Sequence, residues 1–389
     1  MRHYSSILFF KFLVSVIFFL TACTTSKTPV PTEIPAVPSE QPGRELRQVT
    51  FADIPGWNAD KVSEAWPAFV HSCKVLKKQA EWRNTCLLAE KVRGEESEIR
   101  TFLETFLEPY QVVLTDGNDT GMITGYYEPL LQGSRIQTAR YQTPLYRVPP
   151  DLIVVDLAVT YPQLKGLRLR GKLNGKRLVP YLTRSEIRES RHLAGSEIVW
   201  VDDPVDAFFL QVQGSGRVFI EKTGETIRVA YGDQNGHPYR SIGRYLVDKG
   251  EMKLEEASAQ RIKKWLSEHP ARLNEVLDAN PSYVFFREEK LDNPQIGPKG
   301  ALGVPLTGGR SVAVDSRHIP LGVPLFINTT EPNSDVLLQR LVMAQDTGGA
   351  IKGVLRLDYF WGFGNEAGER AGKMKQPVKM WILQPKKDK

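Results

Sequence analysis

Two aspartates near the C-terminus, Asp346 and Asp358, stand in the stretch AQDTGGAIKGVLRLDYFWGFGNEAG, each behind an apolar run and each soon followed by glycines. Apolar surroundings hold a carboxyl group toward its neutral form, and a second carboxylate nearby pushes the same way. Such a group can donate a proton near neutral pH, which an ordinary Asp with a pKa of about 3.9 cannot. The triplet Asp346-Thr347-Gly348 is also similar to the aspartic-protease signature. Those enzymes need two such aspartates, from a duplicated lobe or a dimer. The expectation is that this triplet stands alone, and Gly349 follows it where a small polar residue is usual.

The elements around these residues read as short strands. SVAVD, VPLFINT, RLVMAQD and VKMWILQ are each of strand length and end at turns. No regular strand–helix alternation occurs, which argues against a doubly wound sheet, and many short strands with glycine corners favour a small closed barrel. Residues 121–231 continue the pattern. DAFFLQVQGSGRVFIEKTGETIRVAYG reads as three strands joined by a Gly-Ser-Gly corner and a turn at Thr223-Gly224-Glu225. Helical spacing is confined to three places. Val62, Trp66, Phe69, Cys73 and Leu76 mark one apolar face within residues 60–91, weakened locally by Pro67. A second helix is expected over 97–106, and a third over 254–278, split at Pro270.

The N-terminus reads as an address. Arg2 and Lys11 flank a short apolar run that ends in Leu20-Thr21-Ala22-Cys23, which resembles a bacterial lipoprotein box. Cleavage before Cys23 and lipidation of that cysteine are expected, the alternative being an ordinary secretory signal. Thr24, rather than an Asp, points to the outer membrane. Residues 24–44 hold five prolines and few bulky apolar side chains, a tether that reaches roughly 60 Å at about 3 Å per residue. Losing Arg2 and Lys11 leaves 49 basic against 45 acidic residues, a balance of +4 that suits an acidic polymer without specifying one. No basic stripe with interleaved aromatics occurs, so nucleic acid is not expected as a partner. The six histidines show no metal spacing, and neither a metal nor a cofactor is expected. In an oxidising compartment Cys73 and Cys86 are expected to pair, the alternative being two buried thiols.

Taken together, TGYYEP (124–129), QVQGSGR (211–217), YGDQNGHPYRSIGRYL (231–246), NPSYVFF (280–286), VAVDSRHIPLG (312–322) and QDTGGAIKGVLRLDYFWGFGNEAGERAG (345–372) resemble the membrane-bound lytic murein transglycosylase A family. The last hundred residues resemble its 3D domain, whose three aspartates map onto Asp315, Asp346 and Asp358. The resemblance implies a mainly β fold with helices: a double-psi β-barrel domain from residues 45–130 and 276–389, a second β-barrel inserted at 131–275, and a substrate groove between them. Residues 1–22 would be the signal, and 23–44 the lipidated cysteine and tether.

The resemblance further implies cleavage of the β-1,4 bond between N-acetylmuramic acid and N-acetylglucosamine in peptidoglycan, without water, leaving a 1,6-anhydromuramic end. One carboxyl can serve as acid and then base in that reaction. Asp358 is expected in that role, with Asp346 as its neighbour and Asp315 as a third site residue or a turn anchor. Tyr126, Tyr127, Phe360 and Trp361 are expected to stack on sugars, or to be ordinary core. Gln213, Gly214, Ser215, Asp233, Thr347 and Gly348 are expected to line the groove. Expected partners are glycan strands, the outer membrane through the lipid, and other cell-wall enzymes, with the protein facing the periplasm. Two rival readings are a wall-binding module without catalysis and an inverting hydrolase.

Overall fold

The computed structural model describes residues 43–164, 167–291 and 293–386. Cys23, the signal and most of the tether lie outside the described residues. The chain after β1 (Arg44–Gln48) forms three helices, α1 (Trp66–Leu76), α2 (Ala80–Ala89) and α3 (Glu96–Phe106), before β2 (Leu107–Leu114) and β3 (Gly121–Glu128). The expected 60–91 helix is two helices after a 3-10 turn. Pro67 sits in the first turn of α1, where its missing N–H costs nothing, so it starts the helix rather than weakening it. Cys73 and Cys86 are joined, with Cα atoms 5.2 Å apart, and link α1 to α2.

The excursion from this region holds β4 (Leu130–Ser134), β5 (Thr143–Tyr146), β6 (Ile153–Val154), β7 (Arg170–Asn174), β8 (Arg177–Pro180) and β9 (Glu197–Val201). β10 (Ser215–Ile220), β11 (Glu225–Gln234) and β12 (Val284–Lys290) complete it, with helices α4 (Arg184–Glu189), α5 (Pro204–Gln213), α6 (Ile242–Asp248), α7 (Ala259–Glu268) and α8 (Leu273–Asp278). Six strands pair in the order β12-β11-β10-β4-β9-β5, and a bridge from Arg147 to Phe286 brings the two edges together. β6, β7 and β8 form a separate small sheet. β12 pairs with β11, so this second sheet runs to Lys290, beyond the expected boundary at 275. The first strand expected in DAFFLQVQ is instead the helix α5. Asp203 caps it, Pro204 opens it and Gly214 closes it with φ 85°. Its short apolar run carries no period by which a buried strand differs from a buried helix, whereas those end signals do. The β10–β11 hairpin forms as expected.

The return segment supplies β13 (Ser311–Val314), β14 (Pro324–Thr330), β15 (Leu337–Asp346), β16 (Arg356–Phe363), α9 (Gly364–Lys373) and β17 (Lys375–Pro385). With β3 they close a six-stranded barrel: β3 pairs with β16, β16 with β13, β13 with β15, β15 with β14, β14 with β17, and β17 again with β3. Closure leaves no edge inside the ring, and β1 and β2 continue outward from β17. Alternation sorts each strand. Ile123, Val312, Val314, Leu357 and Tyr359 enter the main core with α1–α3, so Thr124, Ala313 and Asp358 take the opposite face. α9 was not expected, because its glycines hide a helical stripe in which Ala367, Gly368 and Ala371 are buried.

The two barrels meet at a buried charge cluster. Glu128, where β3 leaves the first barrel, accepts from Arg217 Nε (2.8 Å) and Arg228 Nε (2.5 Å) of the second. All three side chains are shut away from solvent, a placement that needs each charge paired.

Candidate active site

The barrel's pairing register lines up the candidate residues. Thr124 is opposite Asp358, Asp358 is opposite Ala313, and Ala313 is opposite Asp346. Four adjacent strands therefore set one row: Thr124, Asp358, Ala313, Asp346. Asp346 joins it through an irregularity, since the register slips by one residue between Val312 and Ala313. The extra residue, Gln345, is fully buried. Its side chain accepts from Ser311 Oγ (2.6 Å) and donates to Ala68 O (2.8 Å) and Ser72 Oγ (3.0 Å). Helix α1 thus anchors the bulge that re-aims Asp346.

The floor of the row is apolar. Tyr126, Leu306, Ala313, Ile351 and Phe360 form one buried cluster, with the Tyr126 and Phe360 rings 5.1 Å apart. Both carboxylates keep partial exposure while protein surrounds them on the remaining sides. Their partners differ. Asp346 Oδ1 accepts from the backbone N–H of Ala301 and of Thr347, each at 2.9 Å, and Oδ2 accepts from the Tyr126 hydroxyl at 3.0 Å. Asp358 has one partner among the described residues: Thr124 Oγ1 donates to its Oδ1 at 2.6 Å. Burial raises both carboxyls above their ordinary range, and for Asp346 the three donors and the charge of Arg168 oppose the rise. For Asp358 burial dominates. Thr124 and the Arg356 charge oppose it, Asp346 adds a smaller push, and the carboxyl reaches about 6. Burial and both carboxylates hold the Tyr126 phenol neutral, so it donates to Asp346.

Asp315 stands apart. It accepts from Arg317 Nε (2.9 Å), Arg317 Nη2 (2.5 Å) and the backbone N–H of Arg317 (3.2 Å) and Gly353 (2.9 Å). Those donors hold it well below the usual carboxylate range. It anchors a turn and has no proton to give near neutral pH.

Several expected sugar contacts need correction. Phe360 is buried at 1% exposure and cannot stack on a ligand. Trp361 turns to the other side: its Nε1 faces Met374 Sδ at 3.2 Å, and Arg370 of α9 covers its ring at 4.1 Å. Gly362, with φ 104°, permits the break in pairing that turns the strand toward α9. Tyr127 alternates away from Tyr126 and packs against Gly368 of α9. Its backbone N–H donates to Gln213 Oε1 at 3.1 Å, which places Gln213, Gly214 and Ser215 at the junction of the barrels. Asp233 is already engaged, with both oxygens within 3.0 Å of Arg170 Nε. Thr347 and Gly348 lie in the partly exposed turn after Asp346.

The sequence reading missed Thr124, Arg356 and Arg168. Alternation along TGYYE was the available signal, because it puts Thr124 and Tyr126 on one face. It also missed a second Asp-Thr-Gly at 119–121. Asp119 pairs with Lys379 at 2.8 Å and sits outside the row, so no protease-type dyad forms. Cavities of about 370 and 410 Å³ lie elsewhere on the first barrel, and neither includes Asp346 or Asp358. Arg168, from the inserted segment, is near enough for its charge to act on Asp346.

One partly exposed carboxyl held toward its neutral form, beside a second held by three donors, is a pairing suited to acid–base chemistry. Residues 122–287 match the MltA specific insert domain, and residues 310–384 match the 3D domain. The chain belongs to the membrane-bound lytic murein transglycosylase A family. It is 33% identical to that enzyme of Escherichia coli K12 over 284 residues, covering 71% of this chain and 69% of the relative. The crystal structure of MltA from Neisseria gonorrhoeae is 39% identical, with a TM-score of 0.78 over 89% of this chain and 94% of that one. The E. coli MltA crystal structure with bound chitohexaose is 27% identical, with a TM-score of 0.66 over 90% of this chain and 97% of the other.

Proposed function

We propose that this protein is a peptidoglycan lytic transglycosylase in which Asp358 acts alone as acid and then base. The observation that carries the reading is the unequal pair: Asp358 is raised to about 6 with one oxygen free among the described residues, while Asp346 is committed to three donors. Neutral Asp358 gives its proton to the glycosidic oxygen as the C1–O bond breaks, and the N-acetylglucosamine leaves as an alcohol. The muramic C6 hydroxyl then attacks C1, and its proton passes to the Asp358 carboxylate. The carboxyl ends protonated as it began, and no water is consumed. Asp346 is the neighbouring carboxylate, whose charge adds a smaller push to the raised proton affinity of Asp358. An inverting hydrolase needs its second carboxylate free to activate water, and Asp346 is poorly suited to that.

The chitohexaose bound to the E. coli relative supports a glycan strand as the ligand of the site around Asp358. Anchorage by lipid on Cys23, at the periplasmic face of the outer membrane, completes the reading. No helix among the described residues is long and apolar enough to cross a membrane. Mass spectrometry of digested sacculi tests the reaction. Muropeptides lacking one water relative to reducing ends are expected, and reducing ends alone would replace this reading with hydrolysis.

A further inference from the structure

Thr124 and Arg356 make a chain of hydrogen bonds whose direction can be assigned. Arg356 Nη2 lies 2.9 Å from Thr124 Oγ1, and Thr124 Oγ1 lies 2.6 Å from Asp358 Oδ1. A guanidinium has donors and no acceptor, so the first bond runs from Arg356 to Thr124. The same guanidinium also donates to the backbone oxygens of Leu357 and Met122, which fixes its plane against β16 and β3. The threonine hydroxyl has one hydrogen. Asp358 Oδ1 is the one acceptor within its reach among the described residues, and 2.6 Å is the length of an O–H donated to a carboxylate.

Consider the carboxyl proton on Oδ1. It would have to point at Thr124 Oγ1, which already accepts from Arg356. The threonine hydrogen would then turn away from its acceptor, leaving a donor unmade at a cost of about 1–3 kcal/mol. With the proton on Oδ2, every bond stays in place.

We propose that Thr124, oriented by Arg356, is a positioning residue that keeps Asp358 Oδ1 an acceptor and so confines the transferable proton to Oδ2, the oxygen without a hydrogen-bond partner among the described residues. The inference rests on the role of Asp358 proposed above and adds which oxygen does the work. The neutral acid then presents one donor in one direction, and after transfer the same oxygen receives the C6 proton. Without Thr124 the proton could sit on either oxygen, and half of the neutral acid would face the strand instead of the substrate. The groups facing Asp358 are Thr124 and Tyr126 from β3, Arg356 from its own strand and Asp346 from β15. Lys375 of β17 is the exposed cross-strand partner of Thr124.

The test follows the Asp358 carboxyl by carbon-13 NMR of protein labelled at aspartate, assigned by loss of the signal in Asp358→Asn. It needs no activity, so it fails or succeeds separately from the proposed reaction. In Thr124→Val, a shape-matched residue that suits a strand, the midpoint should rise by about one pH unit, the size of one charge-assisted hydrogen bond. Thr124→Ser, which keeps the hydroxyl, should titrate with the wild type. Arg356→Gln should also raise the midpoint, since it removes both a charge and the donor that orients Thr124. On sacculi, the alkaline limb of kcat/KM should follow the NMR midpoint in each variant. If Thr124→Val folds and its midpoint stays or falls, or if Thr124→Ser shifts as Thr124→Val does, the assignment is overturned. Should Thr124→Val fail to fold, Thr124→Ala takes its place: loss of the hydroxyl should raise its midpoint as in Thr124→Val, and a midpoint at the wild-type value would overturn the assignment.

Discussion

Asp315, just past the end of β13, and Asp358, on the neighbouring strand β16, are the same residue type with opposite ionisation. By area Asp315 is the more hidden, at 3% exposure, yet it stays ionised. Asp358 keeps an open edge and is held toward its neutral form. Burial alone therefore does not rank them. Asp315 collects two guanidinium nitrogens and two backbone N–H groups, whereas Asp358 collects one hydroxyl. Donor supply separates the carboxylate held ionised from the one held toward its neutral form. Asp346 is intermediate, with three donors and, among the described residues, no cation in direct contact.

The sharpest break in that comparison is Asp358→Asn. Turnover on sacculi should fall by about 10²–10⁴-fold or more, because an amide neither gives nor collects the proton. Glycan binding, followed by calorimetry with a soluble oligosaccharide, should survive. Asp315→Asn should act on stability instead. Its lowered carboxyl contributes stability above the unfolded pKa near 4, and that contribution is lost as pH falls through the folded value. Urea unfolding at pH 7 should show a loss of about 2–3 kcal/mol that shrinks by pH 3, with activity retained in the folded fraction. Asp358→Asn should do the reverse. A raised folded pKa favours the fold below about 4 and loses that advantage as pH rises through 6, so the variant should be more stable at pH 7.5 by on the order of 2 kcal/mol and level with wild type near pH 3.5. The smallest effect is expected from Asp346→Asn. Removing a neighbouring negative charge moves the alkaline limb of activity down, but only slightly, since burial is the larger cause of the raised Asp358.

Much of this was legible in the sequence. The strand ending in Asp346, the helix expected over 254–278 with its break at Pro270, and the β10–β11 hairpin follow from periodicity and turn residues, whereas the strand holding Asp358 was not read as one. The helix in DAFFLQVQ was missed because an apolar run of that length has no decisive period, and α9 because glycines mask its stripe. The site was legible as a pair of aspartates but not as a row. Its register depends on the bulge at Gln345, and Gln345 is held by α1, some 270 residues earlier in the chain. The aromatic platforms failed for a local reason. Strand alternation sends Tyr126 and Phe360 into the floor, and Tyr127 and Trp361 against α9. Thr124 and Arg356 carry no motif signal of their own, and only the closed barrel brings them to Asp358.

The most direct test of the central claim is the pH dependence of kcat/KM for the wild-type enzyme on sacculi, since that ratio reports the ionisation of the free enzyme. An acid that must be protonated gives a rate that is present below its folded pKa and lost above it. The expected profile falls with a one-proton slope through a midpoint near 6, and the midpoint matches the Asp358 titration read by NMR. A rate that instead rises through pH 6 to a plateau would mean that the ionised carboxylate starts the reaction, and the assignment of Asp358 as the acid would be wrong.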